Sequence, residues 1–204
     1  QYGGIGAMID APGLRLALEP AASLVVEGPR ADEVRTYAQR VAQAWGLEPR
    51  CRLTLEHGPR PHVGLGTGTQ TGMAVAAGLN AFFGRGDTDA ASLARACGRG
   101  QRSSIGLYGF AHGGLLIEAG KMSADSISPL VARASLPDAW RFVLMIPRSG
   151  TGLAGEAERR AFSRLPPVPL STTSVLCQIA LLELFPAAIE GKFESFGFHL
   201  VRYN

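Results

Sequence analysis

The sequence predicts a globular protein that contains both β-strands and α-helices, with the strands concentrated towards its N-terminal side. Of its 204 residues, 46% are hydrophobic and 18% are charged, which is the balance of a chain that can bury a core. Alternating apolar and polar residues at 13–18 and 51–57 predict strands, and apolar residues at helical spacing over 32–45 predict an amphipathic helix. This length suits one domain, or two small domains that share an interface.

The remaining elements follow from similar signals, in chain order. A strand is expected at 22–26, because Gly28-Pro29 ends its apolar run. Small residues predict a helix from Thr71 to Phe83, and Thr88-Asp89 predicts the start of a helix over 88–97. Residues 98–114 form a glycine-rich connection. Further strands are predicted at 115–118 and 141–146, and further helices at 155–164, 171–185 and 187–195.

Composition and charge argue against several classes of protein. The net charge of +3 comes from 20 basic and 17 acidic residues spread along the chain, which does not indicate a nucleic-acid surface. The three cysteines include no CxxC pair, so neither structural zinc nor a disulfide framework is expected. No apolar run approaches the roughly 20 residues of a membrane span, and the first residues carry no basic leader. We expect a cytoplasmic protein with no membrane partner.

The most informative segment is His62-Val63-Gly64-Leu65-Gly66-Thr67-Gly68-Thr69-Gln70, which alternates glycine with other residues just before a predicted helix. Glycine permits positive φ and lets a ligand approach the backbone. Successive amides there, followed by a helix N-terminus, form a site for phosphate, and the threonine hydroxyls can bind phosphate oxygens or magnesium. No Gly-Lys-Ser/Thr follows, so the segment is not a P-loop. From spacing alone, a tight turn and an anion site are equally open.

Pro61 to Gln70 resembles the phosphate-binding motif of the GHMP kinase superfamily. Its ending, Gly68-Thr69-Gln70, is closer to one branch, the β-ribofuranosylaminobenzene 5′-phosphate synthases. Three more segments fit that branch: Tyr2-Gly3-Gly4-Ile5-Gly6, Arg99-Gly100-Gln101-Arg102-Ser103-Ser104-Ile105-Gly106 and Phe110-Ala111-His112-Gly113-Gly114. The combination of these segments is more specific than any one of them.

The resemblance implies an α+β fold with two lobes. Residues 1–147 would form an N-terminal lobe like domain 2 of ribosomal protein S5, and residues 148–204 would begin a smaller C-terminal lobe. It also implies a transferase that joins phosphoribosyl pyrophosphate to 4-aminobenzoate or 4-hydroxybenzoate in tetrahydromethanopterin biosynthesis, with release of carbon dioxide and pyrophosphate. Mg²⁺ is the expected cofactor, the substrates are small molecules, and a homodimer is the expected assembly.

The resemblance also assigns site residues. The loop from Gly64 to Gln70 would bind phosphate, with Thr67 as a metal ligand. Arg99, Arg102 and Ser103 would stabilise the departing pyrophosphate, since two guanidiniums can grip it bidentately. Without the resemblance, these arginines read as solvated cations at a helix end. Substrate contacts are expected from Tyr2, Gly3 and Gly4, in a turn over residues 3–6, and from Arg148, which reads equally well as a surface arginine.

One departure from the kinase pattern bears on the reaction. The stretch Ser103 to Leu107 contains no acid where the kinases carry a catalytic aspartate, and residues 93–101 contain no glutamate. Phosphoryl transfer would therefore lack its usual base and metal ligand. Two other functions stay open: an ATP-dependent GHMP-type small-molecule kinase, and a non-catalytic phosphometabolite-binding module. His62 and His112 deserve tests as neighbours of glycine-rich segments, and Cys97 is read as a buried inert thiol.

Overall fold

A computed structural model describes residues 3–87, 89–123, 125–147, 160–161 and 163–204. The strands are β1 (Gly4–Ala7), β2 (Arg15–Pro20), β3 (Val25–Glu27), β4 (Cys51–His57), β5 (Leu115–Glu118) and β6 (Leu130–Ala134). The helices are α1 (Ala31–Trp45), α2 (Thr67–Phe82), α3 (Ala90–Ala96), α4 (Ile105–His112), α5 (Leu170–Gln178), α6 (Phe185–Ile189) and α7 (Phe193–Tyr203), with a π-helical segment, Ile179–Leu184, between α5 and α6. The α+β class predicted by the resemblance is confirmed.

The first sheet has the order β2-β4-β3, with β2 antiparallel and β3 parallel to β4. Strand β4 alternates as predicted: Cys51, Leu53 and Leu55 are buried, and Arg52 and Glu56 are exposed. The buried side chains join a core shared with helices α1, α2 and α3. Helix α1 confirms the amphipathic pattern and ends at Gly46, whose positive φ of 64° terminates it.

The second sheet has the order β1-β5-β6 and is antiparallel throughout. The interpretation of residues 3–6 as a turn is wrong for Gly4 to Gly6, which lie in β1 beside β5. Glycine has low strand propensity, so the sequence hides this strand, and pairing with the fully buried β5 forms it. Strand β6 likewise has no counterpart among the strands that the sequence predicts.

Helix α4 lies inside the stretch interpreted as a glycine-rich connection. Its glycines are needed for close packing, because a Cβ at Gly106 would lie 2.9 Å from Cγ2 of Thr69, and one at Gly109 would lie 2.5 Å from Sδ of Met8. Glycine costs helix propensity, which conceals the helix in the sequence. Tertiary contact compensates for that cost.

Two predicted elements differ in extent or are absent. Helix α2 begins at Thr67 and not at Thr71, so Gly68, Thr69 and Gln70 belong to its first turn. The strand predicted at 141–146 is wrong: residues 141–147 have no regular structure. Val143 and Met145 are 85% and 91% exposed. No strand of the described part of the chain pairs with this run, and a strand needs a partner to form a ladder.

The C-terminal helices divide differently from the prediction of 171–185 and 187–195. The chain is helical from Leu170 to Ile189, and the break falls at Gly191, with φ of 68°. Pro186 stands near the start of α6, directly after the π-helical segment, and it has no N–H to donate to the preceding turn. The helix predicted at 155–164 lies mostly outside the described residues.

The C-terminal helices pack on the second sheet. Leu184, Ala187, Ala188 and Phe196 share a buried cluster with Leu115 of β5. Core contacts therefore run across residue 147, the predicted lobe boundary, which stays a prediction. Contrary to the sequence-based expectation, one described helix, Leu170–Ile189, is long and apolar enough to cross a membrane by length and composition.

Candidate functional site

The loop that leads into α2 adopts the backbone conformation that only glycine takes readily. Gly64 and Gly66 have φ values of 83° and 62°, and His62 also has a positive φ of 58°. A Cβ at either glycine would meet nothing within 4 Å. These two glycines are therefore needed for backbone conformation, and the space beside them is open.

The start of α2 leaves two amides for a ligand. Gly66 is the N-cap, and its carbonyl accepts hydrogen bonds from the amides of Thr69 and Gln70 at 2.9 Å and 3.1 Å. Among the described residues, none accepts a hydrogen bond from the amides of Thr67 and Gly68. These N–H groups lie at the positive end of the helix dipole, where an anion is stabilised. The phosphate-binding role of the loop stays a prediction.

The end of α3 brings Arg99 to this position. The amide of Gly98 donates to the carbonyl of Arg95, and the amide of Arg99 donates to that of Ala94, which is the Schellman pattern. Nε of Arg99 then donates to the carbonyl of Gly68 at 3.2 Å. Its guanidinium carbon lies 5.3 Å from the ring centroid of Tyr37 on α1, a cation–π contact.

Gly68 is the residue that allows this approach. A Cβ at Gly68 would lie 2.0 Å from Nη2 of Arg99, closer than atoms can come. One helical turn further along the same face, a Cβ at Gly72 would lie 3.3 Å from Cγ of Arg99. Arg99 therefore lies along the first turns of α2 because glycine leaves room for it.

Arg102 and Ser103 lie in the same connection between α3 and α4. Arg102 is half-buried, and Ser103 is exposed with its hydroxyl accepting a hydrogen bond from the amide of Ile105 at 3.2 Å. Ser103 thus shapes the start of α4. The catalytic roles of Arg99, Arg102 and Ser103 stay predictions, and the contacts with α2 favour Arg99 most directly.

The first turns of α2 and α4 touch each other. Nε2 of Gln70 donates to the carbonyl of Gly106 at 2.8 Å, and Gly106 packs against Thr69 as described above. The side chain of Gln70 therefore has a structural partner within the protein, which the sequence pattern does not predict. As a result, the first turn of α2 is tied directly to the first turn of α4.

The residues predicted to contact the aromatic acid are only partly described. Gly4 lies in β1, where a Cβ would be 3.7 Å from Oε1 of Glu118, and Gly3 packs on the backbone that follows β5. Tyr2 and Arg148 lie outside the described residues. Pro147, which precedes Arg148, accepts a hydrogen bond from Arg60 at 3.3 Å, and Arg60 precedes the glycine loop.

The sequence reasoning missed Glu118 and Tyr37. Residues 103–107 contain no acid, but the fold brings the carboxylate of Glu118 from β5 to Ser104, whose amide and hydroxyl both donate to it. A charged residue at the end of the run Leu115-Leu116-Ile117 was a usable signal. Tyr37 lies on the predicted buried face of α1, and no pattern in the sequence indicates its contact with Arg99.

The other candidates for chemistry are Cys97, His62 and His112. Cys97 is buried as expected, and this burial raises the pKa of its thiol to about 11. A thiol with a raised pKa is a poor nucleophile at neutral pH, and its inertness stays a prediction. His62 is exposed, and His112 ends α4, roughly 12 Å from the start of that helix at 1.5 Å per residue. Within the described ranges, no group of three or more His, Cys, Asp or Glu side chains could hold a metal.

Comparison with known proteins agrees with this geometry. The family described as GHMP kinases N terminal domain matches residues 32–114, which include the glycine loop, Arg99 and α4. The β-ribofuranosylphenol 5′-phosphate synthase of Methanothermobacter thermautotrophicus is 30% identical over 96% of this chain and 66% of its own length. That of Archaeoglobus fulgidus is 30% identical over 98% of this chain and 67% of its own. The chain thus spans about two thirds of the length of these relatives.

Solved structures show the same fold. A homoserine kinase from Cytophaga hutchinsonii superposes with a TM-score of 0.61 and 18% identity, over 96% of this chain and 64% of the other. A homoserine kinase from Listeria monocytogenes superposes with a TM-score of 0.60 and 18% identity, over 93% of this chain and 65% of the other. At this identity, the likeness concerns the fold alone.

Proposed function

Because the chain belongs to the β-ribofuranosylphenol 5′-phosphate synthase family, we propose that it is a transferase that condenses phosphoribosyl pyrophosphate with an aromatic acid. One observation carries the proposal for this site: the Thr67 and Gly68 amides have no acceptor among the described residues, and Arg99 lies against the same helical turn. Backbone amides and a guanidinium together bind and stabilise a diphosphate as it acquires charge.

The proposed reaction balances without an added base. The ring carbon that bears the carboxylate attacks the anomeric carbon of the sugar, and pyrophosphate leaves with the electron pair of the broken carbon–oxygen bond. Carbon dioxide then leaves, and the electrons of its bond to the ring restore aromaticity. The site's task is to stabilise the leaving group, which fits the absence of an acid in residues 103–107.

The names of the relatives bear on the aromatic acid. Both relatives are named for a ribofuranosylphenol product. We therefore favour 4-hydroxybenzoate over 4-aminobenzoate as the acceptor. Gly3, Gly4, Tyr2 and Arg148 stay the proposed contacts for this substrate.

Magnesium belongs to the proposal as a partner of the diphosphate. Mg²⁺ in proteins often keeps several waters and is held largely by substrate phosphates, and the described residues offer no carboxylate cluster that would hold it alone. The hydroxyl of Thr67, at the start of α2, is the proposed protein ligand. When bound, the ion would neutralise charge on the departing pyrophosphate.

The free state of Cys51, Cys97 and Cys177 accords with a reducing, cytoplasmic setting.

The deciding experiment follows the carboxyl carbon. Full-length protein is incubated with phosphoribosyl pyrophosphate, Mg²⁺ and 4-hydroxybenzoate or 4-aminobenzoate labelled in the carboxyl group. Labelled carbon dioxide and pyrophosphate released in equal amounts are expected, faster with the hydroxy acid. ATP consumption with a small alcohol would instead support a kinase, and tight binding of phosphoribosyl pyrophosphate without turnover would support a binding module.

A further inference from the structure

Glu118 carries a buried charge that the proposed reaction does not use. It ends β5 and is only 5% exposed, although carboxylates are seldom buried unless hydrogen bonds or charges compensate for the lost water. Its Oε2 atom accepts hydrogen bonds from both the amide and the hydroxyl of Ser104. Ser104 is the N-cap of α4, so the carboxylate also lies at the positive end of that helix dipole.

The segment that follows β5 holds the α3–α4 connection at two further points. The hydroxyl of Ser104 is 2.8 Å from the carbonyl oxygen of Ser128, and Nζ of Lys121 donates to the carbonyl of Gln101. These contacts lie on either side of Arg102 and Ser103 in the sequence. These contacts therefore hold the second half of the connection, which carries Arg102 and Ser103, against β5 and the residues after it.

A shift at Ser104 would be transmitted to the glycine loop. The next two residues begin α4, and the carbonyl of Gly106 accepts the hydrogen bond from Gln70 in the first turn of α2. On the other side, a Cβ at Gly6 of β1 would lie 2.6 Å from Cγ2 of Ile105, so no space is left there. Close packing of this kind passes displacement on to its neighbours.

We propose that Glu118 is a positioning residue of the anion site. As an internal anion, it occupies the N-terminus of α4, sets the path of the segment that carries Arg102, and leaves the N-terminus of α2 for an external diphosphate. A carboxylate already at α4 weakens the attraction of that helix start for a second phosphate. The two adjoining helix starts thereby take different anions, one from the chain and one from the substrate.

This inference rests on the proposed diphosphate site, and its test separates the two. Calorimetry with inorganic pyrophosphate and Mg²⁺ measures binding without turnover in Glu118→Ala and Glu118→Gln. We expect Glu118→Ala to weaken pyrophosphate binding about 10-fold or more, since Ser104 loses its acceptor. The KM for phosphoribosyl pyrophosphate should rise in parallel. Glu118→Gln, which keeps an acceptor oxygen, should recover most of the affinity.

Two serines supply a matched control. Ser104 and Ser128 are both fully buried, but the Ser128 hydroxyl has no partner among the described residues. Ser104→Ala should weaken pyrophosphate binding about threefold, and Ser128→Ala should leave it unchanged. If Glu118→Ala does not fold, the comparison of Ser104→Ala with Ser128→Ala tests the inference by itself. Equal affinities in the two serine variants, or wild-type affinity in Glu118→Ala, would overturn the inference.

The outcomes also distinguish this inference from the proposed function. If pyrophosphate binding depends on Glu118 but no carbon dioxide is released from the labelled acid, the inference holds and the synthase activity fails. If the wild-type protein does not bind pyrophosphate at all, Glu118 does not position an anion site and the inference fails.

Discussion

The glycines around the start of α2 have two different physical roles. Gly64 and Gly66 have positive φ and open space where a Cβ would stand, so a side chain there strains the backbone. Gly68 lies inside α2 and makes room for the guanidinium of Arg99. Substitutions at these positions should therefore fail for different reasons, and Gly68 is the position that tests the role of Arg99.

Gly68→Ala should displace the Arg99 guanidinium while the fold persists, because the nearest atom to the new Cβ is the far end of a flexible side chain. Losing one donor to a departing anion typically costs about 10²-fold in turnover. The measurement is steady-state turnover together with the melting temperature.

The matched control is Gly197→Ala in α7, where a Cβ meets nothing within 4 Å. It should keep full activity and gain up to about 1 kcal/mol of stability from the added helix propensity. Full turnover in Gly68→Ala would exclude Arg99 from the site.

The cysteines give a prediction about pH. Because the folded pKa of Cys97, about 11, exceeds its ordinary value of 9.0, unfolding releases a proton above pH 9. The stability from this burial is complete below pH 9 and is lost as pH rises towards 11.

At pH 8, a thiol reagent should modify exposed Cys177 quickly, whereas buried Cys51 and Cys97 react after denaturation. Rapid reaction of all three in the native state would contradict this burial.

Helices α2 and α4 work as a pair because glycines let their first turns touch. Gly106 meets Thr69, and Gly6 of β1 meets Ile105 on the opposite side of α4. The start of α4 is thus held between a strand and a helix. Its position, and with it that of the adjoining Ser103 and Ser104, depends on the absence of side chains on both neighbours.

Gly6→Ala should push α4 away from β1, because the new Cβ would stand 2.6 Å from Cγ2 of Ile105. Overpacking of this kind costs about 1–3 kcal/mol, and we expect the melting temperature and pyrophosphate affinity to fall together. Ile105→Ala removes the clashing atom. In the double variant Gly6→Ala/Ile105→Ala, both quantities should recover relative to Gly6→Ala. If the effects of the two single substitutions simply add in the double variant, the two residues are not coupled.

At the level of the whole protein, ligand binding should appear as stability. A ligand that binds the folded state alone stabilises it by about 2.7 kcal/mol at one hundred times its Kd. Pyrophosphate with Mg²⁺ should therefore raise the melting temperature of the wild type, and much less that of Arg99→Ala. ATP at the same concentration should raise it less than phosphoribosyl pyrophosphate does. A larger shift with ATP would favour the kinase alternative.

Much of the first sheet and its helices could be read from the sequence, because their signals are local. Alternation predicts β4, and helical spacing predicts α1. The glycine-rich run before α2 leaves a tight turn and an anion site equally open, and the anion site stays a prediction. The resemblance added the α+β class and the family. For β4 and α1, the spacing of apolar residues along the chain is itself the physical cause of the element.

Only the tertiary structure decided the rest, since its causes lie far apart in the sequence. The glycine-containing β1 and α4 form because distant partners, β5 and α2, pack against them. The run at 141–146 fails to form a strand because, among the described residues, no strand pairs with it. The second sheet places Glu118 beside Ser104, and the end of α3 places Arg99 beside Gly68. A linear pattern cannot express which separate residues come into contact.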